Sequence, residues 1–550
     1  MLMIDPIGDQ MSKAGSDLSA RIRRCTRLFA FAVAISQCYG IAGAQDAVGT
    51  GVVSRFTSKF SREDSGKKML RSAGLNQTLG QRIGSTPDDS PIKKVLFQDS
   101  PPAAPSLPSG TPGLVSPGPS NIELSLPAAE RGFAGGGATE VEAAAESGAE
   151  AEKPPTFLNR VLGLEDSPVK LYGWIQNSFT GNPGQPKNHF NFGVNPNYQA
   201  NQWQGNQYYL VLENALEQSD ELNFGFRIDS LFGNDANWNH MAGVLNNAYP
   251  FPYFPGWDPA QFYGEAHLPI LTEGGVDVKF GRWYTLHGYE VVPATGRPLL
   301  SVPYMFNYGQ PFTHVGLMTT WHATKQLNIY NGTTPGWDRF FNANYKWGYM
   351  GGFAWTSEDA KLNITSIYSI THGQFPNFFN ANTPTYPLGS AWAGYRPGQN
   401  NTQYEGSWRN FLTTVVSYKW TDKLTQVMEA DQGFENRVAG IGPIGQQGPV
   451  PNNYPAKNVT WFSFGNWFLY NFNDKVTGVW RSEVFWDPSG ARTGLQNNYY
   501  EQTLGVIYKP KDWLWIRPEV RYDWSQYKPA YIDNTKMNQV TLGFDVIVTF

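Results

Sequence analysis

The sequence predicts an all-β fold, an antiparallel transmembrane β-barrel of about sixteen strands behind a disordered N-terminal extension. Three observations predict it. From about residue 169 the chain alternates apolar and polar side chains in segment after segment. The connections between those segments are long and short by turns. The composition also lacks what the main alternatives need. Only 16% of residues are charged, yet the mean hydropathy is −0.41. No stretch beyond the N-terminus approaches the ~18 apolar residues of a spanning helix. Aromatics at 15% and 57 glycines suit strands and turns. A net charge of −4 argues against a nucleic-acid partner, which would require a basic stripe.

Residues 1–44 read as an export signal. Arg21, Arg23, Arg24 and Arg27 form the basic region, residues 28–36 (LFAFAVAIS) a short apolar core, and Ala42-Gly43-Ala44 the small-residue cleavage site. Gln45 is then the first mature residue, and Met11 is an alternative start. The two cysteines, Cys25 and Cys38, both fall inside this signal. The mature chain is therefore expected to hold no disulfide, thiolate metal site or cysteine nucleophile.

Residues 45–168 are expected to be a low-complexity periplasmic linker. Its first part is polar without an apolar period, residues 101–119 are proline-rich, and residues 133–151 are small and acidic. None carries enough large apolar groups to build a core.

Residues 169–550 are expected to form the barrel. In Leu222–Ser230 one parity carries Leu, Phe, Phe and Ile, the other Asn, Gly, Arg and Asp. Side chains alternate across a strand, so one face is apolar and the other polar. Residues 539–550 repeat the pattern, and 313–322, 407–420, 459–472 and 498–509 follow it less cleanly. The long connections are expected near 181–205, 233–259, 285–310, 334–345, 373–405, 433–458, 487–497 and 525–536. Short ones separate them near 217–220, 269–274, 323–325, 358–360, 421–422, 473–474 and 510–512. Short periplasmic turns and long external loops are the habit of membrane barrels, whereas Greek-key sandwiches break such a rhythm. Trp and Tyr near the strand ends, among them Trp174, Tyr208, Tyr209, Trp283, Trp461, Trp486, Trp513, Trp515 and Trp524, are expected to form interfacial girdles. An even strand count leaves both termini on one side.

Energetics assigns the faces. A Lys or Arg at the bilayer midplane on the lipid side costs ~2–4 kcal/mol, so the charged parity faces inward. Arg227, Asp229, Glu265, Arg481, Glu483, Arg517, Glu519, Arg521 and Asp523 are thus expected to line the lumen. Neighbouring charges, such as Arg481 with Glu483, can equally pair with each other and brace the wall. Pro518, inside one of these strands, suggests a bulge.

The segments FGRWYTLHGYEVVP (280–293), PFTHVGL (311–317), NGTTPGWD (331–338), RSEVFWDPSGART (481–493) and IRPEVRYDWS (516–525) resemble the OmpL-like putative beta-barrel porin family. The resemblance spans about residues 170–550. It implies an outer-membrane barrel, inserted in lipid, of channel function. The charged inner wall is expected to make that channel water-filled and to pass small hydrophilic solutes by passive diffusion. The final Phe550 resembles the signal read by the barrel-assembly machinery. By likeness to general porins, the loop after the fifth strand (285–310) folds inward. Glu290 and Arg297 on it would then set a transverse field at a narrow point. General porins are often trimers; a homo-oligomer is allowed here, with no residue marking a subunit face.

Rival readings are a selective channel for sugars or anions, a plugged structural or adhesive barrel, and a secreted soluble β-protein. No catalytic residue, cofactor or metal is expected, since the chain has neither a G-x-S-x-G elbow nor an H-E-x-x-H motif. His267 and His314 are the histidines an outer-membrane hydrolase would use.

Overall fold

The computed structural model describes residues 157–164, 167–239, 241, 256–340, 346–372, 408–438 and 457–550. The export signal and the linker up to residue 156 lie outside these residues. So does the long connection at 373–405.

A short helix, α1 (Phe157–Leu162), falls within the stretch expected to be a structureless linker. The buried Asn159 side chain explains its position: its Oδ1 accepts the backbone N–H of Leu171 at 2.8 Å, tying the helix to the start of the barrel.

The strands are β1 (Val169–Gly181), β2 (Gln202–Asn214), β3 (Asn223–Gly233), β4 (Gly256–Leu268), β5 (Val276–Tyr284), β6 (Thr313–Thr324), β7 (Leu327–Thr334), β8 (Gly348–Thr356), β9 (Leu362–His372), β10 (Trp408–Lys419), β11 (Leu424–Val438), β12 (Lys457–Asn473), β13 (Val476–Asp487), β14 (Asn497–Lys511), β15 (Leu514–Ser525) and β16 (Asn538–Thr549). A second short helix, α2 (Asn234–Trp238), follows β3. Every strand pairs antiparallel with its neighbours in sequence, and β1 pairs with β16 to close the barrel. The seam runs from Trp174 opposite Thr549 to Gly181 opposite Leu542. Phe550 extends it, exchanging both backbone hydrogen bonds with Gly173 at 3.0 Å each. Closure leaves no sheet edge with unpaired donors and acceptors, which a hydrocarbon environment demands.

The two faces of the wall are inverted relative to a water-soluble protein. Phe280 is 68% exposed and Leu542 53%, whereas Arg481, Arg521, Asp523 and Asp545 are fully buried. Along β16, Val540, Leu542 and Phe544 point outward, while Gln539, Thr541, Gly543 and Asp545 point inward. An outer band of this kind is unfavourable in water and favourable against acyl chains.

The aromatic girdle is only partly on the outside. Tyr208, Trp486 and Trp513 are exposed, and Trp524 is half-buried on the outer parity. Trp174, Tyr209, Trp283, Trp461 and Trp515 are buried, on the inner side of the wall. The cause is parity: Tyr208 and Tyr209 are adjacent, so they must face opposite ways.

Pro518 makes no bulge. Gly505 opposite Glu519 and Tyr508 opposite Ile516 keep one register, and the β14–β15 pairing is interrupted between them. Pro518 itself pairs with Phe544 of β16, and the missing donor costs one stretch of ladder without shifting the strands.

Candidate functional site: the barrel interior

The connection from β5 to β6, residues 285–312, does not stand outside the barrel. Nearly all of it is buried, including the one-turn helices Ala294–Gly296 and Met305–Gly309. A buried segment without a sheet partner must still satisfy its backbone N–H and C=O groups. Charged side chains of the wall do this, with a consistent division of labour.

Carboxylates take the amides. Glu483 on β13 accepts from Tyr304 N at 2.6 Å and Met305 N at 2.5 Å. Glu519 on β15 accepts from Leu300 N at 3.0 Å and Ser301 N at 3.1 Å. Glu429 on β11 accepts from Tyr289 N at 2.8 Å. Guanidiniums take the carbonyls. Arg481 donates to Ser301 O at 2.6 Å, Arg517 to Ala294 O at 3.0 Å and Arg297 O at 2.5 Å, and Arg521 to Val302 O at 2.7 Å. Charge-assisted bonds of this type are roughly twice as strong as neutral ones.

The wall charges therefore face inward, bound to protein. Only some of their ion pairs are the ones adjacency suggests. Arg481 pairs with Glu501 of β14 at 2.8 Å, while Glu483 belongs to the loop. Arg517 pairs with Asp545 of β16 at 2.6 Å. Arg521 and Asp523 do pair along their own strand, at 2.9 Å. On β3, Arg227 lies 2.8 Å from Asp229 and 3.2 Å from Glu213 of β2. Glu265 is half-buried and pairs with Lys279 of β5 at 3.3 Å, whose ammonium lies 4.0 Å above the Tyr263 ring.

Glu290 and Arg297 sit on the inward loop, and both are spent as anchors. Glu290 accepts from Trp467 Nε1 at 3.0 Å and from Arg481 at 3.4 Å. Arg297 pairs with Asp235 of α2 at 3.3 Å. Burial pushes the Glu290 carboxyl up and the Arg297 guanidinium down, against the opposite pull of their ionic partners. With exposures of 2% and 1%, neither presents its charge to solvent, so the transverse field expected of them is not built from these two side chains.

Sequence reasoning missed a second inward segment. Asn191–Ala200, between β1 and β2, is buried throughout. Asn197 donates to Ser178 at 2.7 Å and Thr180 at 2.9 Å, and Asn195 donates to Asn307 of the larger loop at 2.6 Å. The run of asparagines from Asn188 to Asn201 was its signal, since amide side chains can both donate and accept inside a polar interior. The two segments meet in an aromatic cluster where Tyr304 stacks on Tyr308 and Tyr499, with Phe192 and Tyr531 against them.

The histidines that a hydrolase would use are otherwise engaged. His267 Nδ1 lies 2.6 Å from Asp277, whose second oxygen lies 2.8 Å from His322. His314 Nε2 lies 3.0 Å from the Thr285 hydroxyl. Among the described residues no group of three or more His, Cys, Asp or Glu is placed to hold a metal ion.

A closed sixteen-strand barrel with this inner wall matches, over residues 168–550, the family model described as Putative beta-barrel porin-2, OmpL-like. The chain belongs to that family. It is an outer-membrane porin. Its barrel is also similar to solved structures. One is the outer membrane channel DcaP of Acinetobacter baumannii, at 9% identity and a TM-score of 0.42, covering 70% of this chain and 97% of that one. Another is the anion-selective porin from Comamonas acidovorans, at 10% identity and a TM-score of 0.45, covering 70% and 99%. A third is OmpT, an outer membrane protein of Vibrio cholerae, at 10% identity and a TM-score of 0.41, covering 70% and 97%. At that distance no residue role transfers. No curated protein matches in sequence.

Proposed function

We propose that this porin is a narrow diffusion channel for small hydrophilic solutes, whose conductance is set by residues 285–312. The observation that carries this reading is the set of charged wall side chains bound to the backbone of that loop, from Glu483, Glu519, Arg481, Arg517 and Arg521. Such bonds hold a buried irregular segment at a fixed depth, and a fixed constriction gives a fixed pore. No catalytic step belongs to this reading. The long loops face outward from the cell, and the segment preceding α1 lies on the periplasmic side with the short turns. Phe550, at the closing seam, serves as the recognition signal for assembly. Arg227, Asp229 and Glu265 line the part of the wall away from the clamp.

One observation favours a plugged barrel as the second reading: the inner-wall side chains of β10 to β16 at the depth of the loop are almost fully buried. Current through planar bilayers separates the two. Discrete steps from the intact protein support the diffusion channel. Silence from a folded barrel that conducts only when Glu483→Gln and Glu519→Gln are combined supports the plug.

A further inference from the structure

At the mouth formed by the long loops, two buried arginines lie over one indole, and a third buried arginine follows that indole in the chain. Arg409, at the start of β10, lies with its guanidinium carbon 4.7 Å from the Trp337 ring. Arg492, in the β13–β14 connection, lies 5.3 Å from the same ring and 5.0 Å from that of Trp461. Arg339 follows Trp337 by two residues and is near enough to Arg409 for the two cations to repel. All three are at most 3% exposed.

The cluster is short of acceptors. Arg409 holds Glu435 at 2.7 Å, and the other buried arginines in ion pairs described above likewise hold carboxylates. Among the described residues, Arg339 and Arg492 hold none. Nε and Nη1 of Arg339 are buried without a hydrogen-bond partner, as is Nε1 of Trp337. Arg492 gives its Nε to the carbonyl of Tyr308 at 2.6 Å. The nearby carboxylates are committed elsewhere. Asp338 accepts the amides of Phe312 and Thr313 at 2.7 and 2.9 Å, and Asp487 those of Ala491, Arg492 and Thr493 at 2.7 to 3.0 Å. Burial, together with repulsion from Arg409, pushes the Arg339 guanidinium down to about 10 and that of Arg492 to about 9. Both remain cations at neutral pH; Glu435, Asp487 and Asp338 attract Arg492 from a distance without bonding it, and a buried cation without a bonded counter-charge is costly.

We propose that Arg339 and Arg492, beside Trp337, form a binding site for a small oxyanion of carboxylate or phosphate type at the long-loop mouth of the channel. The unpartnered groups of Arg339 and Trp337 are all donors, and an oxyanion supplies only acceptors. Guanidinium forks match the oxygen spacing of both groups. Through Tyr308 O, the site also touches the inward loop.

The test is calorimetric titration of the full-length protein, folded in detergent, with inorganic phosphate and with acetate, against chloride at equal ionic strength. Saturable binding of either, about tenfold weaker in Arg339→Gln or in Arg492→Gln, is the expected result. Phosphate alone would mark a tetrahedral site, and both together a general oxyanion site. Absence of saturable binding overturns the proposal, because buried water then satisfies the donors. So does binding undiminished in both variants. Arg339→Lys, which keeps the charge and loses the fork, should bind with intermediate strength and stands in if Arg339→Gln does not fold. The readout is binding without current, so a silent channel leaves this inference intact.

Discussion

At the residue scale, the interior is organised by charge used as backbone complement. Arg517 joins three elements: it pairs with Asp545 and caps the carbonyls of Ala294 and Arg297. Replacing it leaves a buried carboxylate without its cation, which typically costs 3–5 kcal/mol, in addition to two freed carbonyls. We therefore expect Arg517→Ala to lose about 3–5 kcal/mol of barrel stability, read from urea unfolding in detergent. Lys at the same position keeps the charge and should recover part of the loss. A loss below about 1 kcal/mol would mean that the loop is not held by these contacts. Alternation in the sequence placed Arg517 on the inner face. It could not name Asp545, because a period of two gives the side of a strand and leaves the partner to the register of the next strand.

At the element scale, the seam and the inward loop are the two places where the fold is most exposed to test. Gly173 lies where β1 meets both β2 and Phe550. A Cβ there would stand 2.2 Å from the Tyr209 carbonyl oxygen and 3.0 Å from the Phe550 ring. Backbone cannot yield as a flexible side chain can, so Gly173→Ala should lower the fraction of folded, heat-modifiable barrel on a cold gel. An unchanged fraction would show that the seam can open to admit a methyl group. Phe550→Ala should slow insertion of the newly exported chain, followed as the time course of heat-modifiable protein in cells. Equal rates would remove Phe550 from recognition. The strands themselves were largely legible, since Val540, Leu542 and Phe544 outside and Gln539 and Asp545 inside follow the sequence pattern directly. The path of the loop was legible only by likeness to other porins. Its residues show no period, and the side chains that fix it, Glu483, Glu519 and Arg521, lie roughly two hundred residues away. The inner aromatics were misread for a related reason: Trp174 and Trp461 have the composition of a girdle and the parity of a core.

At the scale of the whole molecule, the barrel of residues 169–550 is a lipid-facing cylinder with a polar interior occupied in part by its own chain. The outer band, with Phe224, Phe280, Leu504 and Leu542 exposed, accounts for residence in a membrane. The inner charges account for how an irregular loop is held in the lumen. The central claim is that residues 285–312, held by wall carboxylates, set the conductance. Single-channel recording of the full-length protein beside Glu483→Gln with Glu519→Gln, both verified as folded barrels, tests it most directly. An amide accepts more weakly than a carboxylate, so the loop should loosen. We expect larger, noisier current steps from the double variant than from the parent. Identical step size and noise in the two proteins would contradict the account.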